Sequence, residues 1–224
     1  MQHRTVGELM TRKVIHVGPE APFKEIVKEL AENDVTAVPV VDGEDRVMGV
    51  VSEGDLIAKS AGQTDPFGRI PVPSLEAWER ARAEGTRAEE LMSAPAVCAR
   101  PGWNVVEAAR LMAVQNVKRL PVVDEADRLV GIVSRGDLLR IFLRDDRAIR
   151  EEIVHDLLEH TLGLAPSAVS VGVSEGQVTL TGSVAPRSLI PVMVRLCRAV
   201  DGVVSVRERI ADTTEDTGSP LTAT

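Results

Sequence analysis

Aromatic residues are scarce in this chain, with three Phe, two Trp and no Tyr among 224 residues. Its cores must therefore be filled by Val, Leu, Ile and Ala, which carry the apolar burial that rings carry elsewhere. Cysteine is as rare. Cys98 and Cys197 lie far apart, with neither metal-ligand spacing nor the even set of a disulfide framework, so both read as reduced, partly buried thiols. His155 and His160 lack an i, i+4 relation and no zinc motif surrounds them, which makes them surface residues. No Gly-rich phosphate loop, Ser-His-Asp order or pair of catalytic carboxylates stands out, and an enzyme is the least favoured class. No apolar segment follows Met1-Gln2-His3-Arg4 and no run is long enough to span a bilayer; the expected location is the cytoplasm. Excess positive charge is missing too. With 26 Lys and Arg against 34 Asp and Glu, the net charge is −8 and the pI about 5.1, which disfavours nucleic acid as a partner and leaves membrane lipid a weak one.

What the chain does contain is an internal duplication. Val38-Pro39-Val40-Val41-Asp42 and Gly49-Val50-Val51-Ser52-Glu53-Gly54-Asp55-Leu56 return as Leu120-Pro121-Val122-Val123-Asp124 and Gly131-Ile132-Val133-Ser134-Arg135-Gly136-Asp137-Leu138. Pro121 minus Pro39, Gly131 minus Gly49 and Asp137 minus Asp55 all give 82, so the copies align without a gap. Glu8-Leu9-Met10 matches Glu90-Leu91-Met92 at the same offset. Phe23, Ile26, Val27 and Leu30, with Val105, Ala108, Ala109 and Met112 in the second copy, recur at i, i+3, i+4, i+7 and predict helices with one apolar face. Ala37–Val41 and Val47–Val51 flank Asp42-Gly43-Glu44-Asp45 and predict a β-hairpin, repeated around Glu125-Ala126-Asp127. Ser52 and Ser134 each open a short helix. One such unit is too small to bury its apolar face alone, so two must share a core.

These residues resemble the cystathionine-β-synthase-type (CBS) domain, and the pair from about Thr5 to Phe142 resembles a tandem CBS (Bateman) module. The resemblance implies an α+β fold of two βαββα units related by pseudo-two-fold symmetry. It also implies a regulatory module that binds AMP, ADP, ATP or S-adenosylmethionine in clefts between the units, with a homodimer formed through the CBS domains. No catalytic domain of the kinds that such pairs often regulate fits in the remaining sequence, which argues for a stand-alone sensor.

The cleft chemistry follows from residue types. Ser52 and Ser134, each with an Asp three residues on, put a hydroxyl and backbone N–H groups at a positive helix end, suited to a phosphate oxygen. Asp55 and Asp137 can accept from both hydroxyls of a ribose. Adenine needs an apolar slot, which residues around Val38-Pro39 and Leu120-Pro121 could line. By resemblance, the strand segments containing Ile15-His16 and Val97-Cys98 complete the first and second slot respectively. Ser-x-x-Asp is also a capping box that needs no ligand, and both readings stand at this point. Thr36-Ala37 precedes the Val-Pro pair of the first copy and Lys118-Arg119 the Leu-Pro pair of the second. Two cations favour a polyphosphate, so the Asp137 site is expected to prefer ADP or ATP.

The domains so read are 1–60, a linker or insertion 61–86, 87–143, a third domain 144–212 and a disordered tail 213–224. Within the insertion, Ser74 can cap a short helix that places Leu75 and Trp78 on one face. In the third domain, Asp145-Asp146 open an amphipathic helix to His160, expected to act as the mechanical link between modules. Alternating strands at Val169–Ser174 and Val178–Val184 then flank a Glu175-Gly176 turn, followed by a helix at Leu189–Val200 and a strand from Val203. Val171-Gly172-Val173, Gly176-Gln177-Val178-Thr179-Leu180-Thr181-Gly182 and Val200-Asp201-Gly202-Val203-Val204 resemble a BON domain. That family implies a small αββαβ binding domain, associated in some members with phospholipid or envelope attachment. The second class of function is thus a non-enzymatic adaptor attached to a membrane surface or protein partner through this domain. Arg144–Asp212 contains eight Arg and no Lys against ten acidic residues, which weakens the lipid option.

Overall fold

The computed structural model describes residues 3–61 and 84–212; the expected Ser74–Trp78 helix and the tail lie outside the described residues. The chain divides into two compact units, Thr5–Leu138, and Leu139–Thr224 together with Met1–Arg4.

In the first unit each copy runs through a short helix, a longer one, a hairpin and a closing helix. The first copy has α1 (Val6–Leu9), α2 (Phe23–Glu32), β1 (Ala37–Val41), β2 (Val47–Ser52) and α3 (Glu53–Ala61). The second has α4 (Ala88–Leu91), α5 (Val105–Val114), β3 (Arg119–Val123), β4 (Leu129–Ser134) and α6 (Arg135–Leu139). Both hairpins are antiparallel, with Val38 opposite Val51 and Leu120 opposite Val133. In the turns, the Asp42 carboxylate accepts from the Glu44 and Arg46 N–H groups, and Asp124 repeats this with Ala126 and Arg128. Two backbone donors on one oxygen hold both carboxyls below the usual carboxylate range. Helix α2 buries Ile26 and Leu30, whereas Val27 is exposed. Helix α5 starts with a capping box: Asn104 Oδ1 accepts from the Val106 and Glu107 N–H groups, and Glu107 accepts from the Asn104 N–H.

The expected strands ahead of α2 and α5 shrink to single residues. Val17 pairs in parallel with Val40, and Ala99 with Val122, while Val14–His16 and Ala96–Cys98 are irregular. The segments just before them cross over instead. The Thr11 N–H and C=O bond Ile132 of the second copy at 2.9 and 3.0 Å, and those of Ser93 bond Val50 of the first at 2.9 and 3.1 Å. Arg46 bridges Arg128, its own counterpart at offset 82, so the pseudo-two-fold axis passes between them.

The crossing explains two glycines. A Cβ on Gly131 would lie 2.4 Å from Met10 Sδ and 3.2 Å from the Thr11 carbonyl oxygen, and one on Gly49 would lie 2.4 Å from Met92 Sδ. Each copy's methionine thus lies flat on the other copy's hairpin. Gly131→Ala is expected to destabilise the unit by roughly 1–3 kcal/mol through overpacking. The double variant with Met10→Ala should be less destabilised than the sum of the single variants by about 1 kcal/mol. Urea unfolding of the four proteins measures this; simple additivity would show that this contact does not set the glycine.

The second unit begins with a 3₁₀ turn at Arg140–Leu143, followed by α7 (Asp146–Glu152). From there the helix widens into a π-helix, Ile153–Thr161, where a regular helix to His160 is expected. Bonds spanning five residues, such as Leu162 N–H to Leu157 O at 3.0 Å, mark the change. The wider turn buries both Leu157 and Leu158 beside Ile153. Strands β5 (Val169–Ser174) and β6 (Gln177–Val184) are antiparallel around Glu175-Gly176, which occupy the left-handed region at φ +52° and +69°. The N–H groups of that turn donate to the Asp146 carboxylate at 2.7 and 2.8 Å. After α8 (Leu189–Arg198), β7 (Ser205–Asp212) adds in parallel to β6; it starts two residues later than the run from Val203 suggests. The core joins Ile149, Ile153, Leu157, Leu180, Met193 and Cys197. Asp201, which is buried, lies 2.8 Å from His3 Nδ1 and accepts from the Arg4 N–H at 2.8 Å.

Candidate functional site

The two Ser-x-x-Asp motifs fold alike. β2 ends at Ser52, and the Glu53 N–H donates to the Thr36 carbonyl at 3.0 Å, which ties the start of α3 to the entry of β1. Asp55 Oδ2 accepts from the Ser52 N–H at 2.8 Å and the Ser52 hydroxyl at 2.6 Å. In the second copy the Arg135 N–H donates to the Lys118 carbonyl at 3.0 Å, and Asp137 Oδ2 accepts from Ser134 at 2.9 and 2.7 Å. Both motifs are therefore caps. The first helical N–H is spent on a carbonyl in each copy, which leaves fewer N–H groups for a phosphate than the motif alone suggests.

Asp55 has a second oxygen, and the cavity forms around it. Oδ1 lies 3.4 Å from the Ser93 hydroxyl, a long hydrogen bond that a sugar hydroxyl could replace. The cavity, about 330 Å³, is lined from the first copy by Thr36, Ala37, Val50, Ser52, Glu53, Gly54 and Asp55. The second copy supplies Ser93, Pro95, Ala96, Val97, Asn116, Val117, Lys118 and Arg119. The lining thus combines apolar side chains with two carboxylates, Glu53 and Asp55, hydroxyls and two cations.

Of the residues expected in the sites, Thr36, Ala37, Ser52, Asp55, Val97, Lys118 and Arg119 meet here. Val38 and Leu120 are fully buried core residues, and Pro39 and Pro121 are buried within the strands opposite Val50 and Ile132. Ile15 packs on the core of the first copy. His16 faces a separate pocket of about 190 Å³ with Arg12, Val41 and Asp45. Cys98 is half-buried and stands outside the lining. Two corrections follow. The slot beside Asp55 is completed by Ala96-Val97 rather than Ile15-His16, because Ser93 crosses to pair with Val50 and carries the following residues with it. Lys118 and Arg119, assigned from the sequence to the Asp137 site, line the Asp55 cavity as well, and Asp137 still acts on Arg119. Ser93, Pro95 and Asn116 are missed by the sequence reading; the only signal for them is the offset of 82, and only once the crossing is known.

Arg119 dominates the electrostatics. Its guanidinium donates to Thr36 Oγ1; burial lowers its pKa, while Glu53 and then Asp137 oppose that shift. Both thiols stay protonated at neutral pH. Burial, aided by Asp127, pushes Cys98 up to about 11, and burial alone does the same to Cys197. A larger groove of about 440 Å³ between α2 and α3 is lined by Phe23, Val27, Leu30, Leu56 and Ile57; Asp55 is not part of it. No group of three or more His, Cys, Asp or Glu side chains able to hold a metal occurs among the described residues, and none of their helices is long and apolar enough to cross a membrane.

Comparison with known proteins covers both units. The CBS domain family matches residues 6–62 and 88–144, and the BON domain family matches 145–211. The CBS domain-containing protein CBSX1, chloroplastic, of Arabidopsis thaliana is 32% identical over 158 residues, which span 64% of this chain and 66% of that protein. The uncharacterized protein MJ1426 of Methanocaldococcus jannaschii is 27% identical over 61% of this chain and 94% of its own length. Among solved structures, CBSX2 in complex with AMP superposes with a TM-score of 0.51 at 30% identity, over 62% of this chain and 96% of that one. The CBS domain pair of MJ0100 shares the fold, with a TM-score of 0.50 at 24% identity over 63% of this chain and 97% of its own.

Proposed function

The chain belongs to the CBS-domain family, with a BON domain behind its two CBS units, and from that premise we propose that it is a stand-alone, non-enzymatic sensor of adenosine-containing ligands. The Asp55 cavity is its principal site. The observation that carries this reading is the convergence, from both copies, of the Asp55 carboxylate, an Ala96-Val97 wall and the Lys118-Arg119 cations on one cavity of about 330 Å³. These are the groups that ribose, adenine and phosphate require. The AMP complex of the related CBSX2 favours AMP over ADP, ATP and S-adenosylmethionine as the first ligand to test. Occupancy is read out by the BON domain or by a protein partner, and the assembly is a homodimer formed through the CBS units in the cytoplasm. The ligand transmits a signal only as far as it binds two arrangements of the copies with different affinity.

Calorimetry and thermal unfolding of the full chain test the reading. AMP at about 100 times its dissociation constant should stabilise the CBS unit by about 2.7 kcal/mol. If AMP, ADP, ATP and S-adenosylmethionine all give neither heat nor a shifted melt, the sensor reading fails.

A further inference from the structure

Among the described residues Asp201 is the only charged side chain that is buried. A carboxylate taken out of water needs partners, and here they come from the far end of the chain. Asp201 Oδ1 lies 2.8 Å from His3 Nδ1, and Oδ2 accepts from the Arg4 N–H at 2.8 Å. His3 and Arg4 therefore belong to the C-terminal unit, although Thr5, the next residue, is already part of the CBS pair. There Thr5 bridges Asn104, and the Val6 and Gly7 N–H groups donate to the Trp103 and Pro101 carbonyls at 2.7 and 2.8 Å.

The chain passes between the units a second time after Leu138, and that connection is seated on Asp201 and its neighbour. Arg144 Nη1 donates to the Asp201 carbonyl at 2.8 Å, while its Nη2 pairs with Glu152 at 2.8 Å. Gly202 stands at φ +94°, and a Cβ there would lie 3.1 Å from the Ile141 carbonyl oxygen and 3.2 Å from Arg144 Cβ, so the turn Arg140–Leu143 rests on bare backbone. Both connections lead within a few residues to the second CBS copy: the first to the Pro101–Asn104 loop ahead of α5, the second to α6, which carries Asp137.

We propose that Asp201 couples the C-terminal unit to the CBS pair: its carboxylate fastens the His3-Arg4 strap, its carbonyl fastens Arg144, and a change in the second copy reaches the C-terminal unit through both connections. The use of this coupling to report AMP rests on the sensor reading above.

Amide hydrogen exchange and thermal unfolding of the full chain test the clasp. In the parent protein the Arg4 amide should be as protected as the Leu180 amide of the C-terminal core. Asp201→Ala removes the carboxylate and keeps the carbonyl. It should speed Arg4 exchange at least about tenfold and lower the C-terminal transition by at least about 4 °C, with the Val6 amide and the CBS transition unchanged. His3→Ala leaves the Arg4 bond and should lower the C-terminal transition alone, by about 2 °C or more, which covers the case in which Asp201→Ala fails to fold. Saturating AMP should raise the C-terminal transition of the parent, and Asp201→Ala should lose at least about half of that rise, an effect that a purely structural role would not produce. An unprotected Arg4 amide in the parent, unchanged C-terminal melting in both variants, or an AMP-induced rise that survives Asp201→Ala in full would each overturn the proposal. So would AMP that binds by calorimetry yet leaves the C-terminal transition of the parent in place. If AMP does not bind, the adenylate reading fails on its own, and the amide and melting results still decide the clasp.

Discussion

Gly182→Ala should strongly destabilise the C-terminal unit while leaving the CBS pair intact. Gly182 lies in β6 opposite Val169 at φ +143°, and a Cβ there would sit 2.2 Å from the Ala168 carbonyl oxygen and 3.0 Å from Val169 Cα. Both obstacles are backbone, so no rotamer change relieves them. The Ala168 carbonyl is also the acceptor for the Ser183 N–H at 3.1 Å, and pushing it aside breaks the join between β5 and β6. Strain of roughly 1–3 kcal/mol at an unfavourable φ adds to overpacking of similar size. A loss of about 3 kcal/mol or more is a large part of the roughly 5–15 kcal/mol that holds a domain together. Thermal unfolding of the full chain should show the transition of this unit lowered by more than about 10 °C, with the AMP-dependent stabilisation of the other unit retained. A variant that melts like the parent would refute the conformation assigned to Gly182.

The second large effect concerns Asp55. Asp55→Ala should weaken AMP binding by roughly one to two orders of magnitude, the equivalent of a charge-assisted hydrogen bond of about 1.5–3 kcal/mol. The same carboxylate caps α3 through Ser52, so the substitution also costs about 1 kcal/mol of stability. Ser52→Ala separates the two roles, since it removes the hydroxyl from the cap and keeps the carboxylate. Calorimetry well below the melting temperature should find Ser52→Ala weakened less than Asp55→Ala, because the carboxylate stays. Equal weakening by Ser52→Ala and Asp55→Ala would mean that Asp55 acts through the cap alone.

Much of this was legible in the residues. The hairpins follow from β-branched runs around acidic turns, the helical faces from the spacing of Ile26 and Leu30 or Val105, Ala108 and Met112, and the caps from Ser-x-x-Asp; all of these are local. The α+β class and the order of two CBS units and a BON domain were legible through the duplication and the motif set. Features that depend on one copy meeting the other were not. Ile15 and Val97 hold equivalent places in the two copies, yet which of them walls the Asp55 cavity is decided by Ser93 reaching across to Val50. The direction of Arg119 is likewise a long-range matter, because from its neighbours in sequence it belongs with Asp137. The π-winding at Ile153–Thr161 also escapes a periodicity argument, since it takes up core packing that the sequence of one helix does not encode.

The exchange of Thr11 and Ser93 between hairpins means that each repeat finishes the other's sheet, as two separate but identical polypeptides would around a true dyad. In such a pair every amino-acid change appears on both sides at once. Within one chain that constraint is absent: arginine stands at 119 where alanine stands at 37, and the two sides of the dyad need not match.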